Sequence, residues 1–216
     1  MKAVLLDIDG TLIDSNDAHA AAWTKAFAEA GIEADDGAVR RLIGMGGDRV
    51  IPEIAGFGKE TPSGKHIEER RGVIFREDYL PSLKPLPGAQ DLLEKLKAEG
   101  FRLVVATSAS EEDMKALLDQ AGLAGLMDAA ANGSDAPHSK PAPDIVEAAL
   151  RAGQVGPDSA VMLGDTPYDV AAALAAGVKI IAFTSGGWSR GSLKGAVAVY
   201  EGPEDLLKNF EQSPLH

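Results

Sequence analysis

Apolar residues recur along the chain in two different periods, and the change from one to the other divides it. Ala3–Ile8 (AVLLDI) is a short apolar run of β-forming residues that ends in Asp-Gly-Thr, a turn signal; it reads as a buried strand emptying into a loop. The next stretch, Asp14 to Gly31, has helical spacing. Ser15 or Asn16 can cap it, Trp23 and Phe27 sit four apart on one face, and Gly31 stops it. The pattern stays helical from about Asp36 to Leu83, with breaks at Ile43–Gly47 and around Gly56–Gly64, and no convincing strand interrupts it. Pro85 and Pro87 punctuate the chain before Leu92, Leu93 and Leu96 resume a helix.

From Phe101 onward strands and helices alternate. Strands are expected at Phe101–Ala106, Ala129–Ala131, Ala160–Leu163, Ile180–Phe183 and Ala196–Val199. Helices are expected at Glu111–Gln120, Pro143–Ala152, Tyr168–Ala176 and Pro203–Leu207. Such alternation argues for a parallel sheet covered on both faces. The expected fold is α/β, a Rossmann-like parallel core formed by residues 1–14 and 86–216. An α-helical cap, residues 15–85, is inserted after the first strand.

Charge narrows the function. The formal net charge is −12, so a nucleic-acid backbone would be repelled and nucleic-acid binding is not expected. A phosphate site on such a protein must carry its own local positive charge. There are no cysteines, which removes disulfides and thiolate chemistry and fits a reducing compartment. The amino terminus runs directly into an apolar strand, so no signal peptide is expected, and no apolar run is long enough to span a membrane. The expectation is a cytoplasmic protein, a monomer or weak homodimer, acting on a small phosphorylated metabolite.

Ligands in an open parallel sheet bind beyond the carboxyl ends of the strands. Asp7, Asp9 and Thr11 follow the first strand, and Thr107, Ser108 and Ser110 follow FRLVVA. Lys140 lies in SDAPHSKPAPD, after the short alanine strand; Asp165 and Asp169 lie in GDTPYD, after AVML. Clustered carboxylates repel one another and are stable only with a cation among them. An all-oxygen set favours a hard ion such as magnesium. Lys140 and the Ser108 hydroxyl then suit the remaining oxygens of a phosphate. DIDGT is not an EF-hand loop, because Leu12 stands where glycine is needed and Ala18 where a bidentate glutamate is needed.

Taken in order, DIDGT, a strand ending in Ser108, Lys140 in SKPAPD, and GDTPYD resemble the haloacid dehalogenase superfamily of phosphatases over nearly the whole chain. The resemblance implies that Asp7 is a nucleophile that forms an aspartyl-phosphate, and that Asp9 protonates the leaving oxygen and later activates water. It implies Mg2+ held by Asp7, the Asp9 carbonyl and Asp165, with Asp169 in support. Ser108, Ala109 and Lys140 would hold the phosphoryl group, its cradle completed by the Gly10 and Thr11 N–H groups. Dehalogenases of the superfamily lack an acid at the second position, so Asp9 points to a phosphate ester. The insert is similar to the helical cap of phosphoglycolate phosphatases and β-phosphoglucomutases. About 30 residues separate Ser108 from Lys140, too few for the large alternative cap. His19 stands where the mutase branch has a histidine, yet IGMGGDR is closer to the glycine-rich cap loop of the phosphoglycolate phosphatases. The expected activity is hydrolysis of a small phosphomonoester, phosphoglycolate or a sugar phosphate; the alternative is a sugar phosphomutase.

Blander roles compete at several positions. Ser108 can cap the following helix, and Asp169 can be an acid at a helix N-terminus. His19 and Arg49 are each either substrate contacts or structural and surface residues. Trp23 suits the cap core better than substrate stacking. Lys65, Arg70 and Arg71 read as a solvated basic face, and Trp188 has no assigned role.

Overall fold

The computed structural model describes residues 2–216. Six strands, β1 (Ala3–Leu6), β2 (Arg102–Ala106), β3 (Ala129–Ala131), β4 (Ala160–Gly164), β5 (Lys179–Phe183) and β6 (Ala198–Tyr200), form one sheet. Its order is β3-β2-β1-β4-β5-β6 and every pairing is parallel. Alternate residues of each strand face opposite layers. Val4, Leu6, Leu103 and Val105 join one apolar cluster; Ala3, Leu5, Val104 and Ala106 join the other.

Helices cover both faces. α5 (Ala89–Ala98) and α6 (Glu111–Gln120) bring Leu92, Leu96, Met114 and Leu117 to the first cluster, joined there by α9 (Pro203–Lys208) through Leu206. α7 (Asp144–Gly153) and α8 (Pro167–Ala175) bring Ile145, Ala149, Val170 and Ala173 to the second. Small side chains on α7 and α8 let these helices lie close to the sheet. The last strand starts two residues later than its apolar run predicts. Ala196 and Val197 are occupied beforehand, Ala196 N–H donating to Leu193 at 3.3 Å and Val197 N–H to Ile180 at 2.8 Å.

Between β1 and β2 the chain is helical: α1 (Asn16–Glu29), α2 (Asp36–Leu42), α3 (Gly47–Ala55) and α4 (Pro62–Ile74), followed by a π turn at Phe75–Tyr79. The Asp35 side chain caps α2 and the Thr61 side chain caps α4. Trp23, Phe27, Val39, Ile51, Ile67 and Phe75 are buried among these helices. The outgoing and returning strands of this segment run side by side. Ile13 bridges Pro85, Asp14 N–H donates to Lys84 at 3.2 Å, and Leu86 N–H donates to Leu12 at 2.8 Å. No helix among the described residues is long and apolar enough to cross a membrane.

The strand order places the site. Connections leave β1 toward β2 and β3 on one side, and β4, β5 and β6 lie on the other, so a crevice opens where β1 and β4 end. Leu6 is in register with Val105 and Leu163, which puts Asp7 level with the ends of both neighbours.

Candidate active site

Asp7 leaves β1 with its amide donating to Leu163 at 3.0 Å, and the residue is 3% exposed. Lys140, fully buried, reaches across from the loop after β3. Its Nζ donates to Asp7 Oδ1 at 2.5 Å and lies 2.7 Å from Asp169 Oδ1. Asp165 enters from the end of β4, and Asp7, Asp165 and Asp169 each offer an oxygen within 4.8 Å of the others. Three loops thus bury three carboxylates around one ammonium.

The electrostatics follow from that imbalance. Burial holds the Asp7 carboxyl well above the usual range; Lys140 pulls it down, and Asp169, Asp165 and Asp9 push it further up. Burial, then Asp169, raises Asp165 to about 7, against hydrogen bonds from Asn16 and Thr11. Burial alone would lower Lys140, but Asp169 and Asp7 outweigh it and raise it. An all-oxygen donor set that is short of positive charge suits a hard divalent cation.

Asp165 is held from both sides. Thr11 Oγ1 donates to Oδ1 at 2.9 Å, and Asn16 Nδ2 donates to Oδ2 at 2.9 Å. Two glycines make room for it. A Cβ on Gly186 would stand 1.7 Å from Asp165 Oδ2, and one on Gly10, whose φ is +73°, would stand 2.3 Å away. Asp169 sits in the first turn of α8 in a reciprocal cap with Thr166. Its Oδ2 accepts from the Thr166 amide at 3.0 Å and from Thr166 Oγ1 at 2.7 Å. The capping reading of Asp169 therefore holds alongside its contact with Lys140.

Asp9 faces the cavity with different neighbours. Its Oδ1 accepts from Ser15 Oγ at 2.5 Å and pairs with His19 Nε2 at 2.8 Å. Burial pushes Asp9 up, but His19 and Ser15 outweigh it and hold the carboxyl below its usual range. His19 is itself buried and stacks on Phe75, ring centroids 3.9 Å apart.

The structure revises several sequence expectations. Ser108 does not cap α6. Ser110 does, accepting from Asp113 N–H at 3.1 Å, and the buried Ser108 Oγ has no hydrogen-bond partner among the described residues. The Gly10 and Thr11 amides do not point at a ligand, because the tight turn after β1 engages them, with Ile13 at 2.8 Å and Ile8 at 3.2 Å. The Ala109 amide is taken by Thr107 Oγ1 at 3.1 Å. Arg49 lies outside the cavity, half exposed, in the first turn of α3, whose inward residues are Val50 and Ile51. Arg71 is not on a solvated face: it is 9% exposed and stacks over Trp23 at 5.1 Å. Trp188 packs edge-on to Tyr168, with centroids 6.1 Å apart, away from the cavity.

Ser15, Asn16 and Asp113 went unread as site residues. The signal for the first two was their place directly after the DIDGT loop. Above Asp7 and Asp9, between the strand ends and α1, α3 and α4, lies a cavity of about 620 Å³ that Ser108, Ala109, His19 and Trp23 also line.

Known proteins resemble this chain in sequence and in fold. A family model described as haloacid dehalogenase-like hydrolase matches residues 4–183. A phosphoglycolate phosphatase from Rhodospirillum rubrum is 35% identical over 212 residues, covering 93% of this chain and 87% of that protein. The crystal structure of a hydrolase from Pseudomonas syringae superposes with a TM-score of 0.91 at 28% identity, over 98% of this chain and 99% of its own. CbbY from Rhodobacter sphaeroides, solved in complex with phosphate, superposes at 0.82 with 28% identity, over 95% and 96%.

Proposed function

The chain belongs to the haloacid dehalogenase-like hydrolases and is a phosphatase of small phosphate monoesters, and from this we propose that Asp7 is its nucleophile. The observation that carries the assignment is Lys140, buried between Asp7 and Asp169 as the one ammonium among three buried carboxylates, which leaves the cluster short of positive charge.

An Asp7 oxygen attacks phosphorus, the ester oxygen leaves with a proton, and an aspartyl-phosphate forms on Asp7. Asp9 passes on the proton that the leaving oxygen takes, its carboxyl positioned by His19 at 2.8 Å. Asp9 then accepts a proton from water, which attacks the phosphorus, releases phosphate and restores Asp7. Lys140 and the unpartnered Ser108 hydroxyl donate to the phosphoryl oxygens as charge builds there. Asp7, Asp165 and the Asp9 carbonyl would hold Mg2+, with Asp169 in support through Lys140. Bound there, the ion would offset negative charge on the phosphoryl oxygens.

We take residues 15–85 as a cap over a core of residues 1–14 and 86–216. The paired crossings at Ile13 and Pro85 support this division, since a segment joined at two adjacent points can move as a unit. The absence of cysteine fits a cytoplasmic protein.

The test is Asp7→Asn assayed with p-nitrophenyl phosphate and Mg2+. Turnover should fall by at least about 10³-fold with the unfolding midpoint little changed. Normal turnover in that variant rules out Asp7 as nucleophile. The Asp9–His19 contact also suits a sugar phosphomutase working through the same aspartyl-phosphate. Formation of glucose 6-phosphate from glucose 1-phosphate, in place of free phosphate, would identify that reaction.

A further inference from the structure

One buried donor on the cavity wall has no acceptor in the protein. Arg71, on α4, lines the cavity and is 9% exposed. Its Nη1 donates to Asp113 Oδ2 at 2.9 Å, and its guanidinium stacks over Trp23. Its Nε is buried and has no hydrogen-bond partner among the described residues. Native proteins pair their buried donors, and an unpaired one on a cavity wall calls for an acceptor from a ligand. Nε and Nη2 share the edge of a guanidinium that takes a carboxylate bidentately, and the ion pair with Asp113 engages neither.

The buried charge at this point favours a monoanion. Arg76 Nη1 donates to Asp113 Oδ1 at 2.7 Å, so two guanidinium groups converge on one carboxylate that is itself 1% exposed. Glu112 lies 3.3 Å from Arg76, but its side chain is 71% exposed and water screens it. Of the other acids on the wall, Glu69 is exposed, Glu68 lies 3.4 Å from Lys59, and Asp48 accepts from the Ser139 amide at 3.1 Å. Two cations against one buried acid leave a single positive charge in excess.

The helices set the reach. His19 and Trp23 are four apart on α1, Phe75 and Arg71 are four apart on the segment facing it, and His19 stacks on Phe75 as Trp23 does on Arg71. Arg71 thus lies one helical turn, about 6 Å, beyond His19, whose Nε2 is 2.8 Å from Asp9. An alcohol of roughly two to four carbons leaving from Asp9 can span that distance.

We infer that Arg71 is a subsite for a carboxylate on the alcohol part of the substrate, so that the protein favours phosphate monoesters of short hydroxy acids. The inference rests on the phosphatase reading above and names the substrate class of that same site. The carboxylate lies across Nε and Nη2, while Asp113 and Trp23 hold the guanidinium plane. A second phosphate brings more negative charge than the one excess cation offsets, and a neutral hydroxyl leaves that cation unanswered.

Three esters of matched size separate the charges: phosphoglycolate, 2-hydroxyethyl phosphate and ethylene glycol bisphosphate, assayed with Mg2+ beside p-nitrophenyl phosphate. The wild-type kcat/KM for phosphoglycolate should exceed that for each of the other two by at least about tenfold. Arg71→Lys keeps a cation beside Asp113 and loses the Nε–Nη2 edge. It should cut the ratio of phosphoglycolate to 2-hydroxyethyl phosphate by about tenfold, whereas loss of a merely structural arginine would slow both esters alike. If that variant does not fold, wild-type inhibition decides: glycolate should compete with p-nitrophenyl phosphate at a concentration at least about tenfold below that needed for ethylene glycol. A phosphoglycolate kcat/KM no greater than that of either other ester, an unchanged ratio in folded Arg71→Lys, or equal inhibition by glycolate and ethylene glycol overturns the inference while p-nitrophenyl phosphate is still turned over. No turnover of p-nitrophenyl phosphate sinks the phosphatase reading itself.

Discussion

Replacing Lys140 by methionine tests the electrostatic design of the site directly. The substitution keeps an unbranched side chain of similar reach and removes the ammonium that lies 2.5 Å from Asp7 and 2.7 Å from Asp169. Three buried carboxylates would then share a site with no cation. Breaking a buried pair this way costs about 3–5 kcal/mol. Protonation limits that cost. Giving a proton to a carboxyl of ordinary pKa costs about 5 kcal/mol at pH 7.5 and about 1.5 kcal/mol at pH 5. The deficit should therefore be about 3–5 kcal/mol at pH 7.5 and shrink to about 1.5 kcal/mol at pH 5. The sign follows from linkage: a carboxyl whose folded pKa is raised favours the folded state at low pH, and that advantage is lost as pH rises through the folded value. Urea unfolding of wild type and Lys140→Met in EDTA at the two pH values measures both numbers. Adding Asp169→Asn to the variant should recover part of the loss, because one of the opposing charges is gone. A deficit that is absent, or that is equal at pH 5 and pH 7.5, would refute the reasoning.

Two further outcomes follow from groups in the same site. Ser108→Ala removes a buried hydroxyl that has no partner, so stability should stay within about 1 kcal/mol of wild type while kcat/KM falls about 10–100-fold; a large loss of stability with full activity would make Ser108 structural. Without metal, Asp165 titrates at about 7 in the folded protein against 3.8 as its ordinary value, so the folded state holds an extra proton between these values. Stability in EDTA should therefore fall as pH rises from about 4 to about 7, by roughly 3–4 kcal/mol, and Mg2+ should raise the melting temperature more at pH 8 than at pH 5. The opposite order of the two Mg2+ responses would contradict a site short of positive charge.

The central strands were legible because they are buried on both faces. AVLL is apolar throughout and LVVA is apolar after the half-buried Arg102, and α6 announces itself through Met114, Leu117 and Leu118. Asp7, Lys140, Asp165 and Asp169 were likewise readable as strand-end residues, and the topology brings them together. What stayed hidden depends on pairing between distant residues. Arg71 and Asp113 are 42 positions apart, and EERRG gives no sign that the second arginine turns inward. Ser15 and Asn16 look like ordinary helix caps. Ser15 does precede α1 but forms no side-chain cap; its hydroxyl goes to Asp9 instead. The Gly10 and Thr11 amides were misjudged for the converse reason: a loop read as open to a ligand closes on itself within three residues.

The first turns of α1 have a bearing on engineering. Ser15 and His19 hold Asp9, and Asn16 holds Asp165, so the opening residues of the helical segment hold in place two acids of the sheet. A chimera that grafts a foreign lid at residue 15 would discard all three supports at once. To exchange lids between relatives and keep the chemistry, the crossover belongs downstream of His19, with the return junction left at Pro85.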